Sequence, residues 1–181
     1  MSSTVTSRKP VAIIAILSMV AGLVLIIAGG VVWGMISSQL KDEAITVSAV
    51  TEEEPGALAG KPVAGPFTAF AQANAINHHA LAGSDGKTYA EIGAEVAALK
   101  AADAEGNADE IEALGEQRTT VMNGSFLRAS LFTSVVAYGV SALVMGLGVM
   151  FILLGWSQWL LAGARAENAA TATREPAAAA V

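Results

Sequence analysis

The chain has 181 residues, 54% hydrophobic and 14% charged, with a formal net charge of −6, a mean hydropathy of +0.55 and no cysteine. This composition excludes a disordered acidic protein, and the length excludes a large multidomain enzyme. The lack of cysteine removes disulfides as a means of reinforcing a small exported domain.

Two charge-free runs, residues 11–40 and 129–164, hold much of the apolar excess. They divide the chain into membrane segments and a modest polar remainder. Residues 1–10, which include Arg8 and Lys9, form a basic N-terminus on the cytoplasmic side. A hydrocarbon layer about 30 Å thick takes roughly 20 helical residues. Residues 11–36 supply that length with a few to spare, so they are expected to span. The basic flank and the small-residue pattern Val47-Ser48-Ala49 are also features of a signal peptide. That pattern lies far beyond an apolar run that already exceeds an h-region of about 7–15 residues, so the reading is an uncleaved anchor.

Residues 37–64 read as an extracytoplasmic linker. Ala44, Ile45, Thr46 and Val47 lie in a short β-prone stretch, and Glu52, Glu53, Glu54, Pro55 and Gly56 form a charged breaker, together a stalk. Residues 65–131 read as a small helical domain. Pro66 suits a first helical turn and Gly83 an end. Thr88 followed by Glu91 is a capping box, with Tyr89, Ile92, Val96 and Leu99 on one apolar face of the helix it opens. Residues 103–107 break the chain, and Asn107 with Glu110 fits another N-terminus, with Asp109, Glu110 and Glu112 in its first turn. Gly115, Asn123 and Gly124 speak against one unbroken rod from there into the second span. A domain this small and rich in alanine has a marginal core, so it is expected to lean on a partner or on the membrane.

The second apolar run has 36 residues. As one helix it would be about 54 Å long and overshoot the hydrocarbon. The span is therefore placed at residues 132–155, with its start continuing outward as an exposed helix. Residues 156–181 form an interfacial segment, with Trp156 and Trp159 in the aromatic belt and Arg165 beyond them, followed by a low-complexity, mobile cytoplasmic tail. Arg8, Lys9, Arg165 and Arg174 flank the spans on one side, against Lys41, Arg118 and Arg128 on the other. Both termini are accordingly read as cytoplasmic. Residues 37–128, with six basic and fourteen acidic side chains, are read as extracytoplasmic. The expected fold class is an all-α plasma-membrane protein in which two transmembrane helices flank a small, mainly helical extracytoplasmic domain.

Small residues recur every seven positions in both spans: Ala15, Gly22 and Gly29, with Ser18 beside them, and Ser134, Ser141, Gly148 and Gly155. This spacing lets helices approach closely in lipid, within the chain or against a partner. Asn74, Asn77 and His78 form a possible polar binding patch. His78 and His79 are a poor metal pair, because adjacent helical residues diverge by about 100 degrees and the sequence holds no other histidine. No metal or cofactor is expected. The spans carry no ionisable residue, and the sequence has no Walker-type loop, nucleophile elbow or redox cysteine pair. The net-acidic middle segment speaks against nucleic acid.

Residues 59–92 (AGKPVAGPFTAFAQANAINHHALAGSDGKTYAEI) and 121–155 (VMNGSFLRASLFTSVVAYGVSALVMGLGVMFILLG) resemble a group of small two-span membrane proteins of actinobacteria. Some members carry the automatic name aromatic ring-opening dioxygenase, which implies iron chemistry. One adjacent histidine pair and the lack of a substrate-sized soluble domain do not supply that chemistry. The resemblance implies an actinobacterial plasma-membrane protein. The expected function is a non-catalytic accessory or scaffold subunit of a larger envelope complex, whose partners are the bilayer and a second membrane protein or further copies of the chain. The alternative is an extracytoplasmic ligand-binding or sensing module, and the ring-opening dioxygenase comes last.

Overall fold

The computed structural model describes the backbone of residues 8–178 and the side chains of residues 10–164. Its elements are α1 (Arg8–Asp42), α2 (Pro66–Ala82), α3 (Tyr89–Asp103) and α4 (Ala108–Ala178). Extended pairing among the described residues is limited to one isolated antiparallel bridge, Thr46 to Pro62, so the protein is all-helical. The cations Arg8, Lys9, Arg165 and Arg174, on which orientation rests, lie outside the described side chains. Residues 1–7 and 179–181, parts of the expected cytoplasmic ends, lie outside the described backbone as well.

Two helical stretches, Pro10–Asp42 and Ala108–Ala164, are long and apolar enough to cross a membrane. Their most apolar windows are only 11% and 17% buried within the chain, whereas the core helix of a water-soluble protein is mostly buried. Leu17, Val24, Leu143 and Leu154 accordingly point outward along their helices.

The contacts resolve into two units. The first comprises Met1–Trp33 and Val140–Val181, and its helices pair antiparallel. The second, Gly34–Gly139, contains the end of α1, both short helices and the first part of α4. Its local order follows from its caps. Pro66 opens α2, where its missing N–H costs nothing, and the Thr68 hydroxyl accepts from the Ala64 and Gly65 amides while donating to the Gly65 carbonyl. The buried Ser84 closes the turn to α3 by donating to the carbonyl of Lys87 at 2.7 Å. In that turn Gly86 takes a φ of +78°. Thr88 caps α3: its amide and hydroxyl both donate to the Glu91 carboxylate at 2.7 Å. Ile92, Leu114 and Val121 form a buried cluster that fastens α3 to α4, with Val96 and Leu99 against it.

Two local features differ from the sequence reading, the stalk and the break in α4. Residues 43–64 are not a free stalk. Val47 and Val63 are buried, and the amides of Val47, Gly60 and Val63 donate to the carbonyls of Lys61, Val47 and Ile45. Alternation there places two valines inward, which a solvated stalk has no use for. Helix α4 also runs unbroken past Gly115, Asn123 and Gly124. The hydroxyls of Thr119 and Ser125 fold back onto the carbonyls of Gly115 and Val121 at 2.9 Å, so these polar side chains do not compete for the backbone elsewhere. Asn107 directly precedes α4, as its spacing to Glu110 predicts, and its side-chain NH2 donates to the Leu99 carbonyl at 3.2 Å, closing the α3–α4 turn. Helix α4 continues into the low-complexity tail as far as Ala178.

Candidate functional site

The heptad-spaced small residues meet across the two long helices. A Cβ on Gly22 would collide with the Gly148 carbonyl, and one on Gly148 would lie 2.6 Å from the Gly22 carbonyl. A Cβ on Gly155 would lie 2.6 Å from the Ala15 carbonyl, and one on Gly29 would lie 2.9 Å from the Ser141 carbonyl. Backbone therefore packs on backbone in three successive layers, 15 with 155, 22 with 148 and 29 with 141. Ala15 and Ser141 are buried with them. The seam thus works within the chain. Ser18 is half-buried in the same unit. Ser134 belongs to the second unit, where its hydroxyl donates to the Ser130 carbonyl at 3.3 Å.

The second unit has its own organising contact, centred on Tyr138. Its ring is 1% exposed. Its hydroxyl donates to the Ala64 carbonyl at 3.3 Å and shares a 2.8 Å hydrogen bond with the Ser37 hydroxyl. The segment entering α2 is thereby tied to α1 and α4 together. Farther along, Phe70 meets Phe132 edge to face at 5.7 Å, Arg128 donates to the Asn77 side-chain oxygen at 3.1 Å, and Gly124 admits Ala80. Helix α2 therefore runs antiparallel to this part of α4, with its N-terminus beside Tyr138.

The candidate polar patch does not converge. Asn77 is engaged by Arg128, Asn74 lines a crevice of about 350 Å³ between residues 47–59 and α2, and His78 is exposed. His79 rather than His78 makes a defined contact, donating to the Ala49 carbonyl at 2.7 Å. Gln72 was not singled out from the sequence. It is buried among alanines, accepting from the Ser48 amide at 2.7 Å and donating to the Ser48 hydroxyl, which holds residues 47–50 on α2. A larger cavity of about 530 Å³ lies between the end of α1, α2 and α4, with Leu40, Ile76 and Leu131 beside Gln39, Gln72 and Ser130 in its wall.

Two groups have shifted acidity, both at the α2–α3 turn. Hydrogen bonds from Thr88, first its amide and then its hydroxyl, hold the Glu91 carboxyl below its ordinary range. Lys87 is raised, chiefly by its 2.6 Å contact with Glu95. Both are exposed, as suits a solvated cap and a surface ion pair. Among the described residues no three His, Asp or Glu side chains are grouped so as to hold a metal ion.

Compared with known protein families, curated proteins and solved structures, the chain matches none.

Proposed function

We propose that the chain is a non-catalytic integral membrane protein of the plasma membrane, acting as an accessory or scaffold subunit of a larger envelope complex. In this reading both termini are cytoplasmic and residues 37–128 are mostly extracytoplasmic, which rests on the Lys and Arg residues that flank the spans and on the acidity of the middle segment. One observation carries the reading: beside its own small core, the second unit leaves a large aromatic side chain of α4, Phe126, outside. Ala69, Ala73 and Ala75 are buried, whereas Phe126 is 65% and Leu127 57% exposed. An exposed aromatic ring of that size on a short, otherwise polar stretch of helix suits the buried centre of an interface with another protein. The Gly22–Gly148 seam is occupied within the chain, so it leaves the surface around Phe126 as the docking surface. A photo-crosslinking residue in place of Phe126, in cells at native expression, is expected to capture one membrane protein repeatedly. The same residue in place of Lys100 is expected to capture none. Equal, scattered capture at both positions would overturn the reading.

The cavity of about 530 Å³ favours a second reading, a ligand-binding module, because its size and its mixture of leucines with a few polar groups suit a small amphiphile. A ligand-dependent melting shift that is lost in Leu131→Trp would favour this reading over the first.

A further inference from the structure

The first turn of α2 carries the most exposed phenylalanine in the chain, Phe67 at 79%, with Phe70 at 48% one turn on. Their surroundings place them beside the apolar runs. The carbonyl of Ala64, just ahead of the helix, accepts from Tyr138, and Phe70 packs on Phe132. Tyr138 and Phe132 both belong to the charge-free run of residues 129–164. Ser37, the other partner of the Tyr138 hydroxyl, lies four residues before Lys41, the first charged residue after the other run. Helix α2 thus starts just inside the charged ends of the apolar stretches, level with a point four residues before Lys41 on α1 and ten residues after Arg128 on α4. It climbs away along α4 through Asn77–Arg128 and Ala80–Gly124. At 1.5 Å per residue the distances to Lys41 and Arg128 are rises of about 6 Å and about 15 Å, so the Phe67 turn lies beside the apolar stretches rather than beyond them. Helical side chains lean toward their own N-terminus, which for Phe67 is the Tyr138 end.

We propose that Phe67, with Phe70 behind it, is an interfacial foot that dips into the lipid at the membrane surface and rests the start of α2 on the bilayer. This rests on the reading of α1 and α4 as membrane spans. Lipid is the occupant because the foot is continuous with the apolar surface of α4 itself, through Phe132. An aromatic ring at the edge of the hydrocarbon keeps its apolar body out of water.

The chain has no cysteine, so single-cysteine variants report one position each. Phe67→Cys, Leu147→Cys and Lys100→Cys are labelled with a nitroxide, with the chain reconstituted alone in vesicles of phosphatidylethanolamine and phosphatidylglycerol. Collisions with oxygen, which concentrates in hydrocarbon, are compared with collisions with a water-soluble nickel complex. Phe67 is largely exposed, so its replacement leaves the packing intact. The expected result is that labels at 67 and 147 favour oxygen while the label at 100 favours nickel. If 147 favours oxygen and 67 favours nickel, the foot is refuted and the membrane reading survives. Low collision with both reagents at 67 would mean that a second copy covers it, which also refutes the foot. If 147 itself favours nickel, the membrane reading fails and the foot fails with it.

Discussion

Replacing Gly148 by alanine tests the contact that joins the two long helices. The new Cβ would lie 2.6 Å from the Gly22 carbonyl oxygen, 2.8 Å from Ile26 Cγ1 and 3.1 Å from the Ile26 nitrogen. Two of these atoms are backbone and have no rotamer to change, so the helices must part. Ordinary van der Waals contact of a Cβ begins at 3.4 Å. Relief therefore needs a separation of about 0.8 Å, a gap that forfeits a quarter to a half of each dispersion contact in the adjoining layers. Overpacking of this kind costs about 1–3 kcal/mol. Alanine's advantage over glycine within a helix offsets about 1 kcal/mol of it, leaving a net loss of up to about 2 kcal/mol. Gly146 is the control, because a Cβ there meets nothing within 4 Å. Gly146→Ala keeps only the helical gain, so the two substitutions, two residues apart, should shift stability in opposite directions. Thermal unfolding in mild detergent measures both. Equal shifts in the two proteins would refute the backbone-on-backbone packing.

Three further expectations concern the second unit. Tyr138→Phe removes the hydroxyl that joins Ser37 to Ala64 and should cost about 1–2 kcal/mol; hydrogen exchange should accelerate around residues 61–65, and unchanged exchange there would contradict the tie. Gly124→Val should destabilise by about 1–3 kcal/mol through overpacking, since even its Cβ lies 2.9 Å from that of Ala80, whereas Gly115→Val, with nothing within 4 Å, should lack that penalty; matching melting shifts would refute the close approach. Folding lowers the Glu91 pKa, so its cap contributes fully above the ordinary glutamate range and is lost as pH falls through the lowered folded value. Thr88→Ala should flatten that acid-side part of the stability profile, and an unaltered profile would contradict the assignment.

Where structure is set by neighbours in sequence, it can be read from the sequence. Pro66 and Gly83 bound α2, and Thr88 with Glu91 marks the start of α3, because caps are local chemistry. Gly124 misleads for a physical reason. By propensity it is a breaker, yet its lack of a side chain serves the approach of Ala80, which lies 44 residues earlier in the chain. The β-prone residues 44–50 mislead similarly: the buried Val47 and the Gln72 side chain that secures Ser48 become meaningful only once α2 lies beside them. The seven-residue spacing of small residues is visible in the spans, whereas the pairing of 22 with 148 depends on the antiparallel register. Asn74, Asn77 and His78 share a helical face by spacing, but Arg128, distant in sequence, takes Asn77 alone.

The most direct test of the accessory-subunit account is to extract the chain at native expression in mild detergent and measure its stoichiometry by size exclusion and quantitative mass spectrometry. The account predicts co-elution in a fixed ratio with another membrane protein, and loss of that protein in Phe126→Asp with the chain still folded. A stable lone monomer or a homo-oligomer, unchanged by Phe126→Asp, would contradict it.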